Sequence, residues 1–309
     1  ARLVLAGGGR RIIDYGSRRA QGLDAALAVA RSAWLAGCDG TALVEAGRRE
    51  GIPIFGTMAH SYIQSHEDEA AAFEQYLQSF PETTLLVDTY DTLAGVRKVI
   101  ELSRKLGEKF RVRAIRLDSG DIPSLARESR RMLDAAGLQR VQIFVSGNLD
   151  EYKLQKFTQS GVAVDGFGVG TALAVSADAP TLDMVYKLVE YAGRPRTKLS
   201  SKKVLYPGRK QIYRHEAGEG MTHDVLAPAD ADRPGTPLLT EVMRAGQRVG
   251  AGWSTLNESR AAFGRNLARL PEALRQLEQA TPPYAVQIDA ALQAEYEKLA
   301  AAHRAACTQ

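Results

Sequence analysis

Six short apolar segments of this chain each end in a cluster of polar or glycine residues. The clusters lie at 14–19, 56–61, 88–91, 118–121, 146–148 and 166–171. Amphipathic stretches with a helical period follow most of them, and strands that alternate with helices are typical of βαβ units with a parallel sheet. Right-handed crossovers close such a series into a barrel. The pattern predicts an irregular TIM-like α/β barrel whose functional residues meet at the carboxyl ends of its strands.

The pattern changes towards the C-terminal part of the chain. We expect the barrel core over residues 1–190. Residues 191–258 are rich in Lys and Arg and in turn signals, which favours a small β-rich segment of short antiparallel strands and a linker. Residues 259–309 are expected to form C-terminal helices, over 259–280 and 288–306, because apolar residues recur there with a helical period.

Composition narrows the class of protein. The chain has 309 residues, 45% of them hydrophobic and 25% charged, which is typical of a globular protein. We find no apolar run near the roughly 20 residues that a membrane span needs, and no secretory leader. Cys38 and Cys307 are the only cysteines, which excludes a disulfide framework and a multi-cysteine metal site. We therefore expect a cytoplasmic protein with no membrane partner.

The net charge of +4 is mild, and the basic residues partly cluster. Such clusters are either a solvated surface or a binding site for a small polyanionic substrate. Nucleic acid is not expected as a partner, because no nucleic-acid module is recognisable and few aromatic residues lie among the basic ones.

Two successive strand ends, 146–148 and 166–171, are rich in glycine. Glycine lets backbone N–H groups approach a phosphate, and a following helix adds a favourable partial charge. A plain tight turn explains either segment alone. The two in succession favour a phosphate-binding cradle.

Carboxylates occur at two other strand ends. Asp88 and Asp91 flank one dipeptide, and Asp118 and Asp121 flank another. Such groups bind Mg²⁺ or ribose hydroxyls, stabilise a developing cation, or cap the next helix. Capping suits Asp91 and Asp121, and we expect Asp118 to be functional. Arg116 lies two residues before Asp118, so the two side chains share a face of the strand.

His60 follows the apolar run 52–56. A lone histidine is more often structural than catalytic, but a position at a strand end favours function. No pair of histidines has metal-ligand spacing, and we assign no metal ligand from the sequence. Cys38 has no activating neighbour and is expected to be a small buried residue.

Together these segments resemble nicotinate phosphoribosyltransferase. The matching segments, in the same order, are 14–22, 56–61, 88–91, 116–121 and 166–171. The resemblance covers about 12–214. The combination of these segments is specific for the family, although no single motif is.

The resemblance implies roles for the candidate residues. His60 would be phosphorylated by ATP, which couples hydrolysis to synthesis. Tyr15 would stack on the pyridine ring, with Thr89 near it. Arg116 would meet the nicotinate carboxylate, and Asp118 would bind the ribose. Further contacts would come from Arg18 (ring and diphosphate), from Gly147, Asn148, Gly170 and Thr171 (5-phosphate), and from Lys198, Lys202 and Lys203 (phosphates).

Asp39 lies near the place where related nicotinamide-using enzymes carry a ring-contacting carboxylate, which leaves selectivity between acid and amide open. The resemblance further implies nicotinate and phosphoribosyl diphosphate as substrates, ATP as co-substrate, Mg²⁺ as cofactor, and a homodimer with shared active sites. The family has a domain before its barrel, and most of it is not in this sequence. We therefore expect little turnover from these residues alone.

Other functions stay open. A nicotinamide or quinolinate phosphoribosyltransferase would share the barrel, although quinolinate carries a second carboxylate and needs more cationic ligands. An aldolase-like barrel would need a Schiff-base lysine at an interior strand end, and none occurs before Lys187. A truncated barrel that binds a ligand without turnover is the third alternative.

Overall fold

A computed structural model describes residues 1–182, 184–199, 204–249 and 254–306. The chain divides into two compact units. The first comprises Ala1–Thr181 with Ser259–Gly264, and the second comprises Leu182–Glu258 with Arg265–Gln309. The three-part division expected from the sequence stays a prediction. Among the described residues, no helix is both long and apolar enough to cross a membrane.

The first unit is built on a six-stranded parallel sheet. Its strands are β1 (Arg11–Asp14), β2 (Gly40–Thr41), β3 (Thr84–Leu86), β4 (Ala114–Leu117), β5 (Gln142–Val145) and β6 (Gly166–Val169). Their order is β2-β1-β6-β5-β4-β3, and every neighbouring pair is parallel. Ile54 adds one parallel bridge to Thr41 on the far side of β2.

The sheet curls so that its two ends approach each other. Beyond β2, the segment that follows Ile54 reaches β3, the opposite end of the strand order, where the Leu86 N–H donates to Met58 Sδ over 3.3 Å. From the same segment, Thr57 accepts a hydrogen bond of 2.9 Å from Arg116 of β4. These contacts across the seam give the irregular, TIM-like barrel that the sequence predicts.

Nine α-helices are described in the first unit ahead of Thr181: α1 (Arg2–Ala6), α2 (Leu23–Leu35), α3 (Val44–Glu50), α4 (His60–Gln64), α5 (Glu69–Ser79), α6 (Thr92–Leu106), α7 (Ile122–Ala135), α8 (Glu151–Gln159) and α9 (Thr171–Ala174). Aspartates cap four of them. The side chains of Asp68, Asp91, Asp121 and Asp150 each accept a backbone N–H of the first turn. Such caps satisfy donors that have no partner inside the helix. The prediction that Asp91 and Asp121 are caps is confirmed.

The barrel core consists of the strands and the helix faces that cover them. Ile12, Leu85, Ile115, Ile143 and Phe167 are each at most 1% exposed, one from each of five strands. Strands buried on both sides are expected in a parallel sheet, since helices cover the outer face. Cys38 is also buried, as predicted, and burial raises the pKa of its thiol to about 12, so it is not a reactive cysteine.

The second unit is β-rich, as the composition of its first part indicates. It contains hairpins β7 (Glu190–Tyr191) with β8 (Arg194–Pro195) and β12 (Met243–Arg244) with β13 (Gln247–Arg248). A four-stranded sheet contains β9 (Lys210–Ala217), β10 (Gly220–Pro228), β11 (Thr236–Pro237) and β14 (Ala285–Ile288). The order of these strands is β11-β9-β10-β14.

Two helix predictions need correction. The expected helix 259–280 is α10 (Leu256–Arg269), which begins at a capping box on Thr255 and ends before Pro271, a residue that lacks the N–H a helix needs. The expected helix 288–306 begins at Ala290 (α11, Ala290–Ala306). The residues before it form β14, which the sequence pattern does not predict because three of its four residues are exposed and the strand is defined by its pairing with β10.

Helix α6 lies so close to the sheet that one position admits only glycine. A Cβ atom added at Gly95 would lie 2.2 Å from the carbonyl oxygen of Val87. We expect Gly95→Ala to lower the free energy of unfolding by about 1–3 kcal/mol, because backbone must move to admit the methyl group. Urea denaturation measures this change.

Gly264→Ala is the matched control, since Gly264 also lies inside a helix and an added Cβ meets nothing within 4 Å. Its helix propensity should raise stability by up to about 1 kcal/mol. Equal changes for both variants would contradict the close packing of α6.

Candidate active site

Three side chains form a hydrogen-bonded network at the ends of β4 and β5. Arg116 donates from Nη2 to Asp118 Oδ1 over 2.7 Å and from Nε to Ser146 Oγ over 2.8 Å. The Ser146 hydroxyl in turn donates to Asp118 Oδ1. The prediction that Arg116 and Asp118 share a face of their strand is confirmed. Ser146, which was expected only as part of the phosphate cradle, joins them.

The loop before α4 brings His60 to the same place. Thr57 accepts a hydrogen bond of 2.9 Å from Arg116 Nη1. His60 is the first residue of α4, and its Nδ1 lies 3.1 Å from the hydroxyl of Thr89. Its Nε2 lies 3.9 Å from Asp118 Oδ2, which is too long for a hydrogen bond. The His60 side chain is 42% exposed, and within the described residues its Nδ1 is engaged whereas its Nε2 makes no hydrogen bond.

Asp88 supports this cluster from the end of β3. Its Oδ2 accepts the backbone N–H of Asp118 over 2.9 Å and the hydroxyl of Ser119 over 2.7 Å. Asp88 is only 8% exposed, and its Oδ1 is buried with no hydrogen-bond partner among the described residues. Asp88 and the neighbouring Thr89 therefore contact Asp118 and His60 respectively.

The surroundings of Asp118 keep it ionised. Burial alone would raise its pKa, but the Ser146 hydroxyl, the Arg116 guanidinium and the His60 ring outweigh this and hold the pKa below its usual value. The Oδ1 atom is occupied by Arg116 and Ser146. The Oδ2 atom accepts no hydrogen bond within the described residues and is the oxygen available to a ligand.

Tyr15 lies beside the network at the end of β1. The Arg116 guanidinium carbon is 5.1 Å from the centre of its ring, within cation–π range. The ring packs on β6, where a Cβ atom added at Gly168 would lie 2.5 Å from two ring carbons. Burial raises the pKa of Tyr15, so its phenol is neutral at physiological pH.

Buried Asp14 fixes the turn that carries Tyr15. Its carboxylate accepts the Gly16 N–H over 2.7 Å and the Thr41 hydroxyl over 2.8 Å. Burial raises its pKa although both of these hydrogen bonds oppose the shift.

The predicted phosphate loops lie at adjacent strand ends, because β5 and β6 are paired. Gly147 and Asn148 both have positive φ, +96° and +48°. Within the described residues, their N–H groups donate to no backbone acceptor. Gly170 and Thr171 follow β6 directly, at the start of α9. The two loops are thus close together with backbone donors available, and their binding of phosphate stays a prediction.

Arg18 and Asp39 make no hydrogen bond to this network within the described residues. Arg18 is exposed in the 3-10 helix Ser17–Arg19, after β1. Asp39 is half-buried, and its carboxylate accepts the N–H of Ile12 over 2.8 Å. It is therefore hydrogen-bonded to the backbone of β1 before that strand ends at Asp14. Lys198 is exposed and belongs to the second unit. Lys202 and Lys203 lie outside the described residues.

Comparisons with known proteins decide the family. A profile of the nicotinate phosphoribosyltransferase (NAPRTase) family matches residues 10–205, more than half of the chain. The chain belongs to this family. The resemblance stated from the sequence motifs is thereby confirmed.

Relatives agree with this placement. The chain is 48% identical over 299 residues to nicotinate phosphoribosyltransferase pncB2 of Mycobacterium tuberculosis, an alignment that covers 97% of this chain and 65% of that protein. It is 31% identical over 380 residues to nicotinate phosphoribosyltransferase of Bos taurus, which covers 96% of this chain and 70% of that one. The chain thus spans a little under two thirds of the length of the mycobacterial relative.

Solved structures confirm the fold. The crystal structure of human nicotinic acid phosphoribosyltransferase matches with a TM-score of 0.83 at 28% identity, over 96% of this chain and 72% of that one. The nicotinate-nucleotide pyrophosphorylase of Pyrococcus furiosus matches with a TM-score of 0.73 at 28% identity, over 87% and 68% respectively.

The packing of Tyr15 on β6 gives a prediction for this family member. We expect Gly168→Ala to lower the free energy of unfolding by about 1–3 kcal/mol, because the methyl group collides with the Tyr15 ring. The loss should largely vanish when Tyr15 is already truncated to Ala. Urea denaturation of both singles and the double variant measures the coupling.

Gly56→Ala is the control, because an added Cβ there meets nothing within 4 Å. Additive effects of the Gly168 and Tyr15 substitutions would show that the methyl group acts on something other than the ring.

Proposed function

We propose that the chain carries the catalytic barrel of a nicotinate phosphoribosyltransferase. Nicotinate would react with phosphoribosyl diphosphate to give nicotinate mononucleotide and diphosphate. Arg116, Asp118 and His60 lie together at one end of the barrel, and the chain belongs to this family. This observation carries the proposal.

The chemistry fits the charges of the site. The bond between ribose C1 and the diphosphate oxygen breaks as the pyridine nitrogen attacks C1, and positive charge develops on the ribose. The attacking nitrogen has no proton to lose, so no strong general base is needed. Catalysis then rests on positioning and on charge stabilisation. The ionised Asp118, with Oδ2 available, is suited to hold the ribose beside that developing charge.

Arg116 is suited to the carboxylate of nicotinate. A guanidinium has five N–H donors, and Arg116 directs three of them to Thr57, Ser146 and Asp118. The two remaining donors lie on Nη1 and Nη2, the pair that binds a carboxylate in bidentate fashion. Tyr15, in contact with the same guanidinium, would present its ring to the pyridine.

Phosphates and Mg²⁺ complete the proposal. The loops at Gly147–Asn148 and Gly170–Thr171 would hold the 5-phosphate. In the described ranges no three His, Cys, Asp or Glu side chains are grouped to hold a metal. This fits Mg²⁺, which usually takes one or two carboxylates together with substrate phosphates and water. The diphosphate and water would supply most of its ligands, and the ion would neutralise the leaving diphosphate.

ATP coupling through His60 is the finer part of the proposal. Because Nδ1 contacts Thr89, Nε2 is the nitrogen open to a phosphoryl group. An N–P bond would form there as the bond to the γ-phosphorus of ATP breaks and ADP leaves, and water would later release phosphate. We also propose a homodimer with shared sites, as the family resemblance implies.

We predict that His60 accepts phosphate from ATP. Incubation with γ-labelled ATP should give an acid-labile, base-stable phosphoprotein, and His60→Ala should abolish the label. His66→Ala should keep it, since His66 is half-buried nearby and engaged with Tyr62 and Gln75. Label that survives loss of His60 would reject the phosphohistidine.

We predict that Arg116 selects the acid. Arg116→Ala should weaken binding of nicotinate by well over tenfold and of nicotinamide much less, because an unpaired charge in such a site costs about 2–5 kcal/mol. Calorimetry with nicotinate, nicotinamide and quinolinate measures the selectivity and separates the alternative substrates.

The control for Arg116 is Arg113→Ala, which removes an exposed arginine paired with Glu82 just before the same strand. An equal loss of affinity for the acid and the amide would reject the carboxylate role. Preference for quinolinate by the unmodified chain would replace the proposed substrate.

A further inference from the structure

Ser146 lies where both charged residues of the site can reach it. It is the first residue after β5 and is only 3% exposed. Its N–H donates to Leu117 O over 2.9 Å, which continues the parallel pairing of β4 and β5 and sets Ser146 beside Asp118. Residues at matching positions of paired strands point to the same face of a sheet. The strand register therefore directs the hydroxyl towards Arg116 and Asp118.

The direction of each hydrogen bond follows from the chemistry of the partners. Arginine can only donate, so Ser146 Oγ accepts from Arg116 Nε. The single hydroxyl proton then remains for Asp118 Oδ1. Thr57 behaves in the same way, since its hydroxyl donates to Met58 O over 3.0 Å and accepts from Arg116 Nη1. Both hydroxyls are thus oriented by the arginine.

We propose that Ser146 is a positioning residue for the reaction, one that fixes the Asp118 side chain so that Oδ2 faces the substrate and aligns the free edge of Arg116. This rests on the proposed function. Two hydrogen bonds on Oδ1, from Arg116 and Ser146, hold the carboxylate in one rotamer. Without the hydroxyl, one of them is lost and Arg116 Nε has no acceptor in the network.

Catalysis should therefore suffer in two distinct ways. A loosened Asp118 stabilises the transition state less well, which lowers kcat. A misaligned Arg116 binds nicotinate less well, which raises KM. We expect Ser146→Ala to lower kcat/KM by roughly tenfold or more, since each lost hydrogen bond involves a charged group. Ser146→Thr keeps a hydroxyl on the same carbon and should restore most of the rate.

Ser129→Ala is the matched control. Ser129 is fully buried in α7, and its hydroxyl has no hydrogen-bond partner among the described residues. Its loss removes a buried hydroxyl without breaking a bond, so kcat/KM should stay within about twofold of the parent value. A comparable loss of rate in the Ser129 and Ser146 variants would show a general effect of core hydroxyls and overturn the proposal.

A second measurement does not depend on any substrate. Ser146→Ala, Asp118→Ala and the double variant form a thermodynamic cycle for unfolding in urea. We expect the unfolding equilibrium constants to deviate from multiplicative behaviour by roughly fivefold or more, because the two side chains contact each other. Multiplicative behaviour within about twofold would overturn the inference. These residues alone are expected to turn over slowly, so the proposed function is judged separately by calorimetry: a parent that binds neither nicotinate nor phosphoribosyl diphosphate would reject it. The unfolding cycle decides whether Ser146 holds Asp118 in either case.

Discussion

The ion pair between Arg116 and Asp118 is the interaction on which the site depends. Both side chains are largely removed from water, with 17% and 27% of their surface exposed. Partly buried charges are costly unless their remaining donors and acceptors are satisfied. Ser146 and Thr57 satisfy two further donors of Arg116, and Asp88 accepts the N–H of Asp118. The pair is therefore held by residues from β3, β4, β5 and the loop before α4, which requires the sheet to curl.

That curl explains which parts of the site could be predicted from the sequence. The shared face of Arg116 and Asp118 follows from strand alternation, and the caps Asp91 and Asp121 follow from local chain geometry. The contact of Thr57 with Arg116 crosses the seam of the barrel and has no local signal. Nor does the bond between Thr89 and His60, because α4 and β3 meet only in the folded sheet. The position of Thr89 near the pyridine stays a prediction, and its hydroxyl lies 3.1 Å from His60 Nδ1.

Glycines show a second limit of sequence reasoning. The glycine-rich ends of β5 and β6 predict phosphate binding, yet packing alone also requires glycine there. A Cβ atom at Gly147 would lie 2.0 Å from Asp118 O, and one at Gly168 would enter the Tyr15 ring. The absence of a side chain at Gly147 lets the loop of Asp118 pack against it, and its absence at Gly168 lets the Tyr15 ring do the same. Phosphate binding and close packing are compatible, because both use the absence of a side chain.

Asp88 and Asp118 show how partners, rather than residue type, set a role. Asp88 lies two residues after β3 and Asp118 directly after β4, so both follow an apolar segment at the ends of adjacent strands. Asp88 is nearly buried, and its Oδ2 accepts only N–H and hydroxyl donors, which suits a support for the loop after β4. Asp118 has Arg116 on one oxygen and an open second oxygen beside His60. A carboxylate of the second kind stays ionised and accessible, so Asp118 is the one equipped to meet a substrate.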